Sequence, residues 1–176
     1  VEQTTAQVIA LDAENDLALL QTDALPNRIA TISNNPRIRV GDQVLVMGYP
    51  EEHGISGQYA TVESKVLSLR GPSGEDKWIE FESSARQGNS GGPLLDISGN
   101  VIGVIVGKAT LRRVNRSTLQ EEDVMESDVA IALPVLQNFL KQNNVYYRTH
   151  GSGFNYSSQR LENLADDYIV NIHCPL

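Results

Sequence analysis

One serine in this chain is flanked in a way that suits nucleophilic chemistry. Residues 85–95 read ARQGNSGGPLL, which sets Ser90 among glycines. The stretch is a poor helix and a poor strand. Its glycines permit positive φ and let a substrate lie close against the main chain. A hydroxyl presented at such a turn can attack a carbonyl carbon, and the backbone N–H groups of the Gly88, Asn89, Ser90 segment can stabilise the oxyanion that results. The bland alternative is a glycine-rich turn between two strands.

A serine needs a base, and the base needs an orienting carboxylate. Asp16 opens the run DLALL and so stands at the edge of a core. An aspartate at such a boundary is also an ordinary turn residue. Asp12 is a rival without that apolar context. Three histidines are present, His53, His150 and His173. His53 lies in a loop, His150 in a polar turn, and His173 in a terminal strand candidate where it points opposite to Cys174. Each reads as an ordinary surface or core histidine.

The string GNSGGP resembles the nucleophile segment of trypsin-like serine peptidases, G-[DN]-S-G-G-P. DLALL at 16–20 resembles the triad-aspartate segment of the same family, in the right order before the serine. GDQVLVMGYP at 41–50 resembles the opening of the second barrel in HtrA-type (high-temperature-requirement) members. The resemblance implies a trypsin-like, double antiparallel β-barrel, all-β, with short C-terminal helices. It implies an endopeptidase with Ser90 as nucleophile, Asp16 as orienting acid, and no cofactor. In the family the histidine lies about thirty residues before the aspartate, yet the fifteen residues before Asp16 contain none. The first barrel is therefore expected to be incomplete and the chain by itself inactive. A missing N-terminal segment or a second copy of the chain would complete that barrel.

The same resemblance places Ser84 at the floor of the substrate side-chain pocket, where it offers no charge. It sets Val106, Gly107 and Lys108 along the substrate backbone, and Ala130 on the pocket wall, where many relatives carry glycine. Together Ser84 and Ala130 suggest small or medium aliphatic residues before the cut. Asn89 stands where digestive members have an aspartate that pairs with a newly cleaved N-terminus, so activation by that pairing is not expected.

Composition narrows the remaining classes. With 176 residues the chain can bury a real core. A net charge of -8 argues against nucleic acid or an anionic membrane as partner. The single cysteine, Cys174, leaves no internal disulfide and leans toward a bacterial type, periplasmic or secreted by resemblance. No apolar run reaches the length of a membrane span, and no His/Cys/Asp cluster has metal-ligand spacing.

The positioning elements follow from patterning. Strands are predicted over 6–12, 16–22, 28–32, 44–47, 59–69, 78–82, 94–96, 100–106 and 129–133. Thr110 to Asp128 reads as a long polar connection, basic first and acidic after, solvated or serving as a flap. Pro134 opens a helix with Leu136, Phe139 and Leu140 on one face. The tail offers a strand at 145–147, a helix with Leu161, Leu164, Ala165 and Tyr168 together, and a strand alternating Val170, Ile172 and Cys174. The expected divisions are 1–38 (remainder of the first barrel), 39–141 (second barrel) and 142–176 (an extension docked on it). Two other readings stand beside the peptidase: a protease-like module that binds peptide without cleaving it, and an unrelated barrel with a glycine turn.

Overall fold

The computed structural model describes residues 4–24, 26–34, 38–52, 55–56, 59–71, 74–82, 85–114, 121–151 and 153–173. It is built mainly of β-strands. These are β1 (Ala6–Asp12), β2 (Leu17–Thr22), β3 (Thr31–Ser33), β4 (Gln43–Gly48), β5 (Glu51–Glu52), β6 (Ile55–Ser56), β7 (Ala60–Ser68), β8 (Trp78–Glu82), β9 (Pro93–Asp96), β10 (Val101–Val114) and β11 (Glu121–Ala132). Helix α1 (Leu133–Gln142), strand β12 (Arg148–His150) and helix α2 (Ser158–Ala165) follow. Strands β4, β7, β8, β11, β10 and β9 pair in that order, each antiparallel to the next, and β9 returns to β4, which closes a six-stranded barrel. Closure leaves no unpaired edge within the ring.

Strand β4 shows why its sequence is apolar at successive positions and not alternating. Val44 and Val46 point into the barrel with Phe81, Leu94, Ile102 and Ala130. Leu45 and Met47 point outward, under Leu136, Leu161 and Ala165. Both faces of the strand are covered, so both favour apolar side chains. Strand β11 repeats the pattern: Ala130 and Ala132 face the interior, while Ile131 packs outward on Leu17 and Phe139.

The tail supplies much of that outer cover. In α2, Leu161 and Ala165 are buried with Ile169 just beyond. Ser157 caps the helix by accepting from the Arg160 N–H at 3.4 Å. Strand β12 pairs parallel with β3, which in turn pairs parallel with β10 at Val101 and Ile32. The first hairpin, β1–β2, forms a separate two-stranded sheet whose Leu17, Leu19 and Ala10 rest on Trp78, Ile131 and Phe139.

Three expectations are corrected. The polar stretch 110–128 is largely strand, because β10 and β11 continue past the barrel as a paired ribbon to Val114 and Glu121. Its backbone register sets Arg113 opposite Glu122 and Arg112 opposite Asp123. The short tail strand is Arg148–His150, not 145–147: Asn144 at φ 55 and the Val145 N–H bonded to the Leu140 carbonyl still belong to the end of α1. Residues 170–173 form no strand; Val170 and Ile172 are exposed, and among the described residues their alternation joins no ladder.

Candidate active site

The nucleophile loop is pinned at both ends. At its start, the Ala85 N–H donates to Asp128 Oδ2 at 2.7 Å and the Arg86 N–H to Asn89 Oδ1 at 3.1 Å. At its end, the Gly91 N–H donates to the Ile105 carbonyl and the Ile105 N–H to the Gly92 carbonyl, at 2.8 and 2.9 Å. Gly88 takes a φ of 93, a left-handed conformation that side chains other than glycine resist. Gly92 is required for a different reason. A Cβ there would run into the Met47 carbonyl and lie 2.9 Å from the Asn89 carbonyl, because β4 crosses directly behind the loop.

The result is a buried Asn89 next to an exposed Ser90. The Asn89 N–H is spent on the Arg86 carbonyl at 3.0 Å, whereas those of Gly88 and Ser90 make no hydrogen bond among the described residues. Of the three predicted oxyanion donors, Gly88 and Ser90 thus have N–H groups to offer. Ser90 Oγ donates to the Val106 carbonyl at 2.8 Å. The β10–β11 register slips between Ile105 and Gly107. Such a bulge leaves Val106 outside the ladder and turns its carbonyl toward the serine.

Ser90 opens onto a cleft of about 400 Å³. Gly48, Tyr49 and Gly88 lie on one side, and Tyr168 to Ile172 of the tail on the other. Tyr49 joins the two sides by donating its hydroxyl to the Ile169 carbonyl at 3.4 Å. Burial pushes the Tyr168 phenol up to about 12, against a smaller opposing pull from Arg28. Burial likewise raises Tyr49, with Asp166 adding to it.

Other predicted site residues are more scattered. Asp16 sits at φ 53 in the β1–β2 turn, exposed and without a hydrogen bond among the described residues. Its rival Asp12 is taken up by the turn, accepting from the Asn15 backbone and side chain at 3.1 and 2.8 Å. Those bonds, the side-chain one first, hold the Asp12 carboxyl below its ordinary range. His150 lies at the end of β12 against the Gly151 carbonyl and His173 is exposed; neither bonds Ser90. Gly107 follows the bulge, and Lys108 reaches Glu126 at 3.8 Å. Ala130 is fully buried, its Cβ set against Gly103. Ser84, His53 and Cys174 fall outside the described residues. Among the described residues no cluster could hold a metal ion.

Sequence reasoning missed Asp128, which it merged with the acidic run. The available signal was its spacing: Asp128, Ala130 and Ala132 share one face of β11.

With this geometry in hand, the comparison with known proteins is decisive. The family model described as a trypsin-like peptidase domain matches residues 1–104. The chain belongs to that family. The peptidase domain is 33% identical over 108 residues to a probable periplasmic serine endoprotease, DegP-like, of Chlamydia trachomatis, an alignment covering 58% of the chain and 21% of that protein. The chain thus spans about a fifth of the length of such relatives. Among solved structures it is similar to the Rv3671c protease of M. tuberculosis in an inactive form, at TM-score 0.58 and 25% identity, covering 78% of this chain and 66% of that one. It is also similar to the HtrA-type protease AlgW with decapeptide, at TM-score 0.60 and 25% identity, covering 79% and 40%. The peptidase domain is therefore of the trypsin-like, HtrA type.

Proposed function

We propose that the domain hydrolyses polypeptides with Ser90 as nucleophile. The observation that carries this is an exposed Ser90 Oγ set beside the N–H groups of Gly88 and Ser90 at the mouth of a cleft. In the reaction, the hydroxyl proton passes to a base as Oγ bonds the substrate carbonyl carbon. The carbonyl oxygen becomes an anion held by the two N–H groups. Collapse of the intermediate breaks the C–N bond, the amine leaves with the proton, and water then releases the acyl group from Oγ by the reverse sequence. Asp16 orients the base. The base is a histidine outside these 176 residues, since neither His150 nor His173 bonds Ser90 and the sequence around His53 reads as an ordinary loop. An upstream segment, or a second copy of the chain, would bring it to Ser90 and complete the first barrel. The periplasmic description of the DegP-like relatives supports a periplasmic or secreted location, with polypeptide as the partner.

A second reading is favoured by the Ser90–Val106 hydrogen bond, which occupies the hydroxyl. In that reading the cleft binds peptide without cleaving it. The test is casein cleavage by the longest natural polypeptide containing this domain, beside its Ser90→Ala variant. Cleavage that vanishes with Ser90→Ala supports the peptidase. Saturable peptide binding, unchanged by Ser90→Ala and without cleavage, supports the binding module.

A further inference from the structure

The buried Asp128 has no part in the triad chemistry, yet it sits directly under the start of the nucleophile loop. It is 0% exposed, and its Oδ2 accepts the Ala85 N–H at 2.7 Å across 43 residues of sequence. The next N–H, that of Arg86, is taken by Asn89 Oδ1. Two successive amides are thus held by side-chain oxygens, one reaching in from β11 and one from inside the loop. Asn89 then fixes Gly92 through its carbonyl, at 2.9 Å. Loop conformation is transmitted from Asp128 through Ala85 and Asn89 to the two residues, Gly88 and Ser90, whose N–H groups face the substrate.

The position of Asp128 is rigid. It lies opposite Phe81 of β8 and Lys108 of β10 in the barrel wall. Lys108 carries its ammonium outward to Glu126, and both of those side chains are more than half exposed. Phe81 is fully buried and fills the space beneath. A carboxylate accepting a backbone N–H makes a stronger bond than a neutral acceptor does, and in a water-free setting it is costly to leave unmade.

We propose that Asp128 is a positioning residue, which sets the oxyanion donors by anchoring Ala85 from the barrel wall. This rests on Ser90 being the nucleophile. It assigns to β11 a role in loop geometry that Asn89, lacking a carboxylate, shares only through its amide.

The test uses the 176-residue chain and a peptidyl boronic acid, which forms a tetrahedral adduct on a serine hydroxyl placed beside N–H donors. Amide exchange at residues 85–91 is followed alongside. In the unaltered chain, Ala85 should exchange as slowly as Leu94 of the barrel. Asp128→Ala should weaken adduct formation about tenfold and speed exchange at Ala85 and Arg86 about tenfold, with Leu94 unchanged. Asp128→Asn, which keeps an acceptor oxygen, should recover most of both. Rapid exchange of Ala85 in the unaltered chain would overturn the proposal even if Asp128→Ala fails to fold. Adduct formation by a folded Asp128→Ala at the unaltered affinity would overturn it too. An adduct that persists in Ser90→Ala would instead refute the nucleophile assignment, while the exchange result still decides the role of Asp128.

Discussion

Ser90 Oγ donates to the carbonyl oxygen of Val106 at 2.8 Å, the one residue that the bulge in β10 leaves out of the ladder. The bond stores the hydroxyl in a defined rotamer at the edge of the cleft. A base arriving at Ser90 has to displace that acceptor, and the exchange is close to neutral because one hydrogen bond replaces another. The same carbonyl would then be free to face the incoming base.

Ser90→Ala removes the nucleophile while leaving the fold alone. The side chain is exposed and contributes one hydrogen bond, so the loss of stability should be within about 1 kcal/mol. Urea unfolding of the variant should superimpose on that of the unaltered chain. A large shift of the midpoint would show that the serine is structural.

Gly92→Ala should do the opposite. The new Cβ meets the Met47 carbonyl, and neither β4 nor the loop can retreat without breaking barrel hydrogen bonds. A destabilisation of about 1–3 kcal/mol is expected by analogy with overpacked cores, read from urea midpoints. Neutral behaviour would mean that β4 and the loop are not in close contact.

How far the fold could be read from residues depends on where burial is decided. Trp78–Glu82 and Ala6–Asp12 show as strands because their composition and bounding turns settle it locally. The ribbon formed by β10 and β11 does not show, since its residues are polar and its strands are held by register against each other. Val170 and Ile172 mislead in the other direction. Their alternation is real, but a strand needs a neighbour, and no local pattern says whether one exists. The turn that carries Gly88 and Ser90 could be read from its motif, because a backbone turn carries its own signature. Spacing alone puts Asp128 on the Ala130 face of β11, but its partner could not be read, because Ala85 lies 43 positions away.

The tail belongs to the core, so shortening its side chains should be costly. Leu161 is 1% exposed and packs with Leu45, Met47 and Ala165. Leu161→Ala should lose about 2–5 kcal/mol, measured by urea or thermal unfolding. Limited proteolysis that removes 145–176 and leaves a domain of unchanged stability would contradict docking of the tail.

Alkaline pH should weaken the same region. Burial raises Tyr168 to about 12 in the folded state, against about 10 in an unfolded chain. The neutral phenol is the form that the folded state favours. Its contribution to stability is therefore complete below about pH 10 and is lost as pH rises through 12. Burial raises Tyr59 as well, in the same direction. Tyr168→Phe should flatten the fall in urea midpoint between pH 10 and 12; an equally steep fall would place the sensitivity elsewhere.

Protection from amide exchange should separate the barrel from the first hairpin. Barrel strands are laddered on both sides and covered on both faces, as Val44 to Met47 illustrate. Strands β1 and β2 pair only with each other among the described residues, and a two-stranded sheet is marginal in water by itself. One face is fastened, by Leu17, Leu19 and Ala10. The rest is bare: Val8, Ile9 and Leu11 are 52%, 51% and 73% exposed. Local opening of the hairpin therefore costs little apolar contact, whereas opening the barrel costs nearly all of it. Exchange at residues 6–22 should be about a hundredfold faster than at Val44–Met47, Ile79–Phe81, Val101–Ile105 and Val129–Ile131. Adding the upstream part of a longer natural polypeptide should slow the hairpin toward the barrel rate if that segment covers Val8 and Leu11. Protection across 6–22 equal to the barrel's in the 176-residue chain as a monomer would show that the hairpin is already complete, and the base for Ser90 would then have to be sought within this chain.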